Sequence, residues 1–122
     1  MKILLVDDDA FLRDMYATKF SEKGHTIDVA ETAESALSKL HDTEYDAVLM
    51  DMIMPGMSGI ELLERISKEK LGGEPQCVML SNQSEEQDRE AALKAGAKGY
   101  IVKAELIPSE VVDEVLKLTK QK

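Results

Sequence analysis

The chain has 122 residues, with 24 acidic side chains against 15 basic ones and a formal net charge of −9. That length suits a single domain over residues 1–122 with a proper core. The acidic balance excludes the basic stripe that direct nucleic-acid binding requires, and the apolar start Ile3-Leu4-Leu5-Val6 breaks at Asp7, too short for membrane insertion or a signal-peptide core, so a cytoplasmic protein is expected.

The first β-type run is residues 2–6. It is followed by a helical pattern that carries Phe11, Met15 and Phe20 near one face and ends at Gly24, which suits a left-handed cap. A second run, 26–29, precedes a helix after Thr32 that spaces Ala33, Ala36, Leu37 and Leu40 along one side. Residues 47–50 form the third run. The helix after it opens with the capping-box pattern Ser58-Gly59-Ile60-Glu61, should bury Ile60, Leu63 and Ile66 or near neighbours, and ends before Gly72-Gly73. The fourth run, 76–80, leads to a second box pattern, Ser84-Glu85-Glu86-Gln87, in a helix closing at Gly96. The fifth run, 99–102, precedes a helix that starts near Pro108 and turns Val111, Val112, Val115 and Leu116 inward. The single cysteine, Cys77, sits in the apolar run Cys77-Val78-Met79-Leu80 and is expected to be a small core residue, not a reactive thiol.

Several of the strand runs are apolar throughout, as strands covered on both faces should be. Five βα units in this length predict an α/β fold: a doubly wound three-layer sandwich of flavodoxin-like (βα)5 type. Its five-stranded parallel sheet is expected in the order 2-1-3-4-5. In such sheets ligands gather beyond the carboxyl ends of the strands. There the sequence places Asp7-Asp8-Asp9, Asp51, Ser81-Asn82 and Lys103.

Carboxylates from adjacent strands disfavour joint ionisation unless a cation lies between them. Oxygen donors without histidine or thiol select Mg2+, with Mn2+ possible, and disfavour zinc or copper. Beside such an ion an aspartate can act as nucleophile toward a phosphoryl group. Asp51 is best placed, as a single acid after the apolar run Val48-Leu49-Met50 and before a turn-rich loop. Lys103 would add a second positive charge, and Ser81 a hydroxyl able to donate to a phosphate oxygen. His25 and His41 show no metal-ligand spacing.

Four segments then carry a resemblance: Ile3-Leu4-Leu5-Val6-Asp7-Asp8-Asp9, the stretch from Val48 to Gly59 around Asp51-Met52-Ile53-Met54-Pro55-Gly56, Met79-Leu80-Ser81, and Ala95-Gly96-Ala97-Lys98-Gly99-Tyr100-Ile101-Val102-Lys103. Across its whole length the chain resembles the receiver domain of bacterial two-component response regulators, in the stand-alone, chemotaxis-type form. The resemblance implies a phosphorelay signalling switch and not an enzyme in the ordinary sense, since it would catalyse only its own phosphorylation and dephosphorylation. It implies Asp51 as phosphoacceptor. Mg2+ would be held by Asp8 and Asp51 directly, by Asp7 through water and by the backbone carbonyl of Ile53. Ser81 would be the switch hydroxyl, Lys103 the cation on the phosphate, and Tyr100 the aromatic that reports phosphorylation on the face built from helix four, strand five and helix five. Asp9 has no ligand role in that pattern.

The implied partners are a sensor histidine kinase or histidine phosphotransfer protein and an output protein, the chain being a monomer or a phosphorylation-dependent dimer. Two positions depart from the family. Ala104 stands where proline commonly follows the lysine through a cis bond, and Asn82 stands where a small residue often follows the hydroxyl. A trans Lys103-Ala104 bond is therefore expected. Competing functions fit less well. A haloacid-dehalogenase-like, Mg-dependent phosphatase wants Gly and Thr or Val after its paired acids, where this chain has Ala10-Phe11. A flavodoxin-like FMN site wants Ser, Thr and Gly where three acids stand. A receiver-like interaction module that is never phosphorylated leaves the assembled site residues unexplained.

Overall fold

The structure, a computed structural model, describes residues 1–82 and 85–119. Strands β1 (Lys2–Val6), β2 (Thr26–Ala30), β3 (Ala47–Asp51), β4 (Gln76–Ser81) and β5 (Gly99–Val102) alternate with helices α1 (Ala10–Glu22), α2 (Ala33–Asp42), α3 (Gly59–Glu69), α4 (Glu86–Lys94) and α5 (Pro108–Leu118). All strand pairs are parallel, and the order is β2-β1-β3-β4-β5. This is the flavodoxin-like arrangement that the five βα units predict.

Side chains alternate between the two faces of the sheet, so each strand feeds two cores. Leu4, Val6, Val48, Met50, Met79 and Val102 join α2, α3 and α4 on one side. Ile3, Leu5, Leu49, Val78, Leu80 and Ile101 join α1 and α5 on the other. β1, β3 and β4 lie inside the sheet and are buried almost throughout, whereas the edge strand β2 is largely half-exposed.

Helix faces follow the expectations with one correction. On α1 the buried residues are Tyr16 and Phe20, while Phe11 is 72% exposed and Met15 only half-buried. The inward stripe is Leu12, Tyr16 and Phe20 at steps of four. Phe11 and Met15 each precede it by one residue, about 100° around the helix. On α3 the buried set is Gly59, Leu62, Leu63 and Ile66, with Ile60 packed against it from the margin. α2 buries Ala33, Ala36, Leu37 and Leu40, and α5 buries Val111, Val112 and Val115 with Leu116 at the edge.

The Ser58–Glu61 capping box is formed: the Glu61 amide donates to Ser58 Oγ at 3.2 Å, and the Ser58 amide to Glu61 Oε1 at 2.9 Å. The box expected around Ser84 lies outside the described residues. Lys103–Ala104 is trans, and a 3-10 turn over Lys103–Glu105 carries the chain toward α5. Among the described residues no helix is long and apolar enough to cross a membrane.

Candidate functional site

Parallel pairing brings the carboxyl ends of β1, β3, β4 and β5 to one rim. Val6 pairs with Met50, Asp51 with Leu80 and Ser81 with Val102, so the polar residues at the strand ends emerge side by side. β3 and β4 each run one residue further than the apolar pattern predicts, because Asp51 and Ser81 still take part in the ladder.

Asp7 is fully buried. Its carboxylate accepts from the Asp9 amide at 2.9 Å through Oδ1 and from Lys103 Nζ at 3.1 Å through Oδ2. Asp8 is exposed and turned to the cleft. Asp9, outside the expected ligand set, caps α1 by accepting from the amides of Phe11 and Leu12. That role was available from the preference for Asp at the residue before a helix. The three acids therefore divide into a buried anchor, an open carboxylate and a helix cap.

Asp51 is 8% exposed, and its Oδ2 lies 3.3 Å from the buried Lys103 ammonium. Burial raises the Asp51 pKa to about 6; Lys103 and a backbone hydrogen bond from Ile53 oppose the rise, and Asp7 adds to it. Burial works against the charge on Lys103, yet Asp51 and Asp7 outweigh it and hold that pKa above its ordinary value. One ammonium thus serves two carboxylates, leaving an excess negative charge in a poorly hydrated place. Carboxylate oxygens of Asp7, Asp8 and Asp51 lie within 4.8 Å of one another. This all-oxygen set is compatible with a small hard cation such as Mg2+, which would offset that excess.

The cleft above these groups measures about 600 Å³ and is lined by Asp8, Asp9, Asp51, Ile53, Asn82 and Lys103, together with Ser81. Asp7 is absent from its walls, so its carboxylate acts on the cleft from beneath. A groove of similar size between α2 and α3 is lined by Glu34, Glu61, Glu64, Arg65 and Lys68 beside Gly56 and Met57.

Tyr100 stands apart from the cleft. Its ring is 5% exposed, its hydroxyl lies 3.8 Å from Met52 Sδ, and the Arg89 guanidinium of α4 sits over the ring at 5.4 Å. The aromatic is therefore turned inward and touches the residue that follows Asp51. Cys77 is buried and hydrogen-bonds the Pro75 carbonyl at 3.6 Å, and burial pushes its thiol up to about 12. It is a core residue, as its setting predicts.

This doubly wound sheet gathers acids, a hydroxyl and a lysine on one rim. Residues 3–115 match the response regulator receiver domain family, and the chain belongs to that family. It is 36% identical over 120 residues to the transcriptional regulatory protein ResD of Bacillus subtilis, covering 98% of this chain and 48% of ResD. It is also 36% identical over 110 residues to the phosphate regulon transcriptional regulatory protein PhoB of Pseudomonas aeruginosa, covering 90% of this chain and 48% of PhoB. The chain spans about half the length of these curated relatives. Among solved structures, TrrA of Thermotoga maritima in complex with Mg(2+)-BeF matches with TM-score 0.81 and 34% identity, covering 96% of this chain and 97% of TrrA. The Francisella response regulator 1452 receiver domain matches with TM-score 0.87 and 29% identity, covering 98% and 96%.

Proposed function

We propose that this receiver is a phosphorylation-dependent switch that takes a phosphoryl group on Asp51 from a sensor histidine kinase or histidine phosphotransfer protein. The observation that carries the reading is the pairing of Asp51 with Lys103 at 3.3 Å, beside two further carboxylates that could share a cation. With a pKa of about 6, Asp51 is largely ionised at neutral pH and can act as the nucleophile.

One Asp51 oxygen attacks phosphorus as the P–N bond of the donor phosphohistidine breaks, and the electron pair of that bond stays on the imidazole nitrogen. Lys103 neutralises charge on the phosphoryl oxygens. Mg2+, held by Asp8, Asp51 and the Ile53 carbonyl, with Asp7 acting through water, would supply further neutralisation when bound. Ser81, at the cleft wall, donates its hydroxyl to a phosphoryl oxygen and is drawn toward Asp51. Tyr100 and Arg89 couple that movement to the α4-β5-α5 face, where an output protein is engaged.

The test is intact-mass spectrometry after incubation with a small phosphodonor and Mg2+. The wild-type chain gains one phosphoryl group, and Asp51→Asn gains none. Equal labelling of the variant would remove Asp51 as the acceptor.

A further inference from the structure

Asp7 leaves none of its hydrogen-bonding groups idle. Its amide donates to the Ala30 carbonyl at 3.1 Å, and its two carboxylate oxygens accept from the Asp9 amide and Lys103. The fourth group, its carbonyl, accepts from Arg13 Nη1 at 2.9 Å. Arg13 sits on α1, one turn inside the helix that Asp9 caps, and its side chain is only 13% exposed. Its other terminal nitrogen lies 3.9 Å from the exposed Glu31, just beyond β2. A cation with this degree of burial, aimed back over its own helix start at a main-chain oxygen, is more than a solvated surface charge.

The Asp7 carbonyl and the Asp8 amide share one planar peptide unit. Whatever fixes that carbonyl therefore fixes the plane from which Asp8 departs. Asp8 is the exposed member of the three-carboxylate group, and among the described residues no hydrogen bond or ion pair holds its carboxylate in place. The aim of Asp8 then depends on the backbone beneath it.

We propose that Arg13 is a positioning residue for the divalent-cation site: its guanidinium locks the Asp7–Asp8 peptide so that the Asp8 carboxylate faces Asp51. This rests on the reading that the Asp7, Asp8 and Asp51 group takes Mg2+. Arg13 touches neither the cation nor the phosphoryl group. It works through the main chain, as groups that orient metal ligands commonly do.

Electrostatics supplies a test whose sign separates this role from a bystander's. A positive charge near the cluster repels a dication, so deleting it with no other consequence tightens Mg2+ binding. Loss of an orienting group weakens it, typically by about 10- to 100-fold. Mg2+ alone is titrated into the full chain, with affinity read by calorimetry and by the amide NMR signals of Asp8 and Asp51. Wild type, Arg13→Gln, Arg13→Lys and Asp8→Ala are compared, and signals distant from the site establish that each is folded.

Arg13→Gln and Arg13→Lys are both expected to weaken binding about 10-fold or more, the lysine variant doing so with the charge retained. Unchanged or tighter binding in the lysine variant, or tighter binding in the glutamine variant, overturns the proposal while leaving the cation site intact. If wild type fails to bind Mg2+, or Asp8→Ala binds as wild type does, the functional reading falls and this inference with it.

Discussion

Gly59 is packed against Asp51 so closely that no side chain fits between them. A Cβ at Gly59 would collide with the Asp51 carbonyl oxygen and stand 2.9 Å from both Met52 Cα and Met79 Sδ. The Gly59 amide also donates to the Met52 carbonyl at 2.8 Å, so the first turn of α3 is tied to the strand end that carries the Asp51 carboxylate. Two of the three obstacles are backbone, which cannot swing aside as a flexible side chain would. Gly59→Ala is expected to cost about 1–3 kcal/mol of stability. It should also slow Asp51 phosphorylation about 10-fold or more by moving the carboxylate off its line of attack. Urea unfolding and the rate of mass labelling check both effects, and a variant equal to wild type in both would show that the strand end can yield.

Lys103 balances two carboxylates, and its side chain is only 4% exposed. Replacement by methionine keeps the length and removes the charge, leaving Asp7 and Asp51 buried without a counter-ion. Without Mg2+, Lys103→Met is expected to lose about 3–5 kcal/mol, the usual scale for removing one member of a buried pair. Adding Mg2+ should restore more stability to the variant than it adds to wild type, because the ion replaces the missing positive charge. Phosphorylation stays slow, since one cation on the phosphoryl oxygens is gone. Thermal melts with and without Mg2+ read the first two effects directly. An equal Mg2+ shift in both proteins would mean that the ion sits away from these carboxylates.

Most of the sheet was legible because an interior parallel strand must be apolar on both faces, and β1, β3 and β4 are. The ends of β3 and β4 were less so: Asp51 and Ser81 look like loop residues by polarity, yet the backbone ladder ignores side-chain polarity and runs on through both. The misread face of α1 came from counting Phe11 and Met15 with Phe20, where Leu12 and Tyr16 hold the four-residue step. α4 offered little to read, since Ala92 is its one buried residue and a helix so thinly packed leaves no apolar stripe. Within the site, the residue types at the strand ends pointed to cation and phosphoryl chemistry. The division of labour among the three acids was not visible, because it depends on Lys103 reaching Asp7 across 96 positions of sequence. Arg13 was missed for a related reason: its target is a carbonyl six residues earlier, and a backbone acceptor leaves no mark in the sequence.

The raised pKa of Asp51 makes its carboxylate a source of instability that should be measurable as a pH effect. Its folded-state value is about 6 against an ordinary 3.8, with burial as the main cause. Between roughly pH 4 and pH 6 the folded chain keeps a proton that the unfolded chain has released, so stability falls as pH rises through that window and stays lower above it. Well below pH 4 both states hold the proton and the effect vanishes. Asparagine has nearly the shape of the protonated acid and never ionises. Asp51→Asn is therefore expected to match wild type at about pH 3 and, without Mg2+, to exceed it at pH 7 by about 1–3 kcal/mol, at about 1.4 kcal/mol per pKa unit. Taking the difference between the two proteins cancels the many other groups that titrate over the same range. Mg2+ should narrow the gap at pH 7, because the ion stabilises the ionised carboxylate in wild type and finds one ligand fewer in the variant. Denaturant unfolding at several pH values, with and without Mg2+, decides the matter. A difference that does not grow between pH 4 and pH 6 would mean that the Asp51 carboxylate ionises in the folded chain as easily as in the unfolded one.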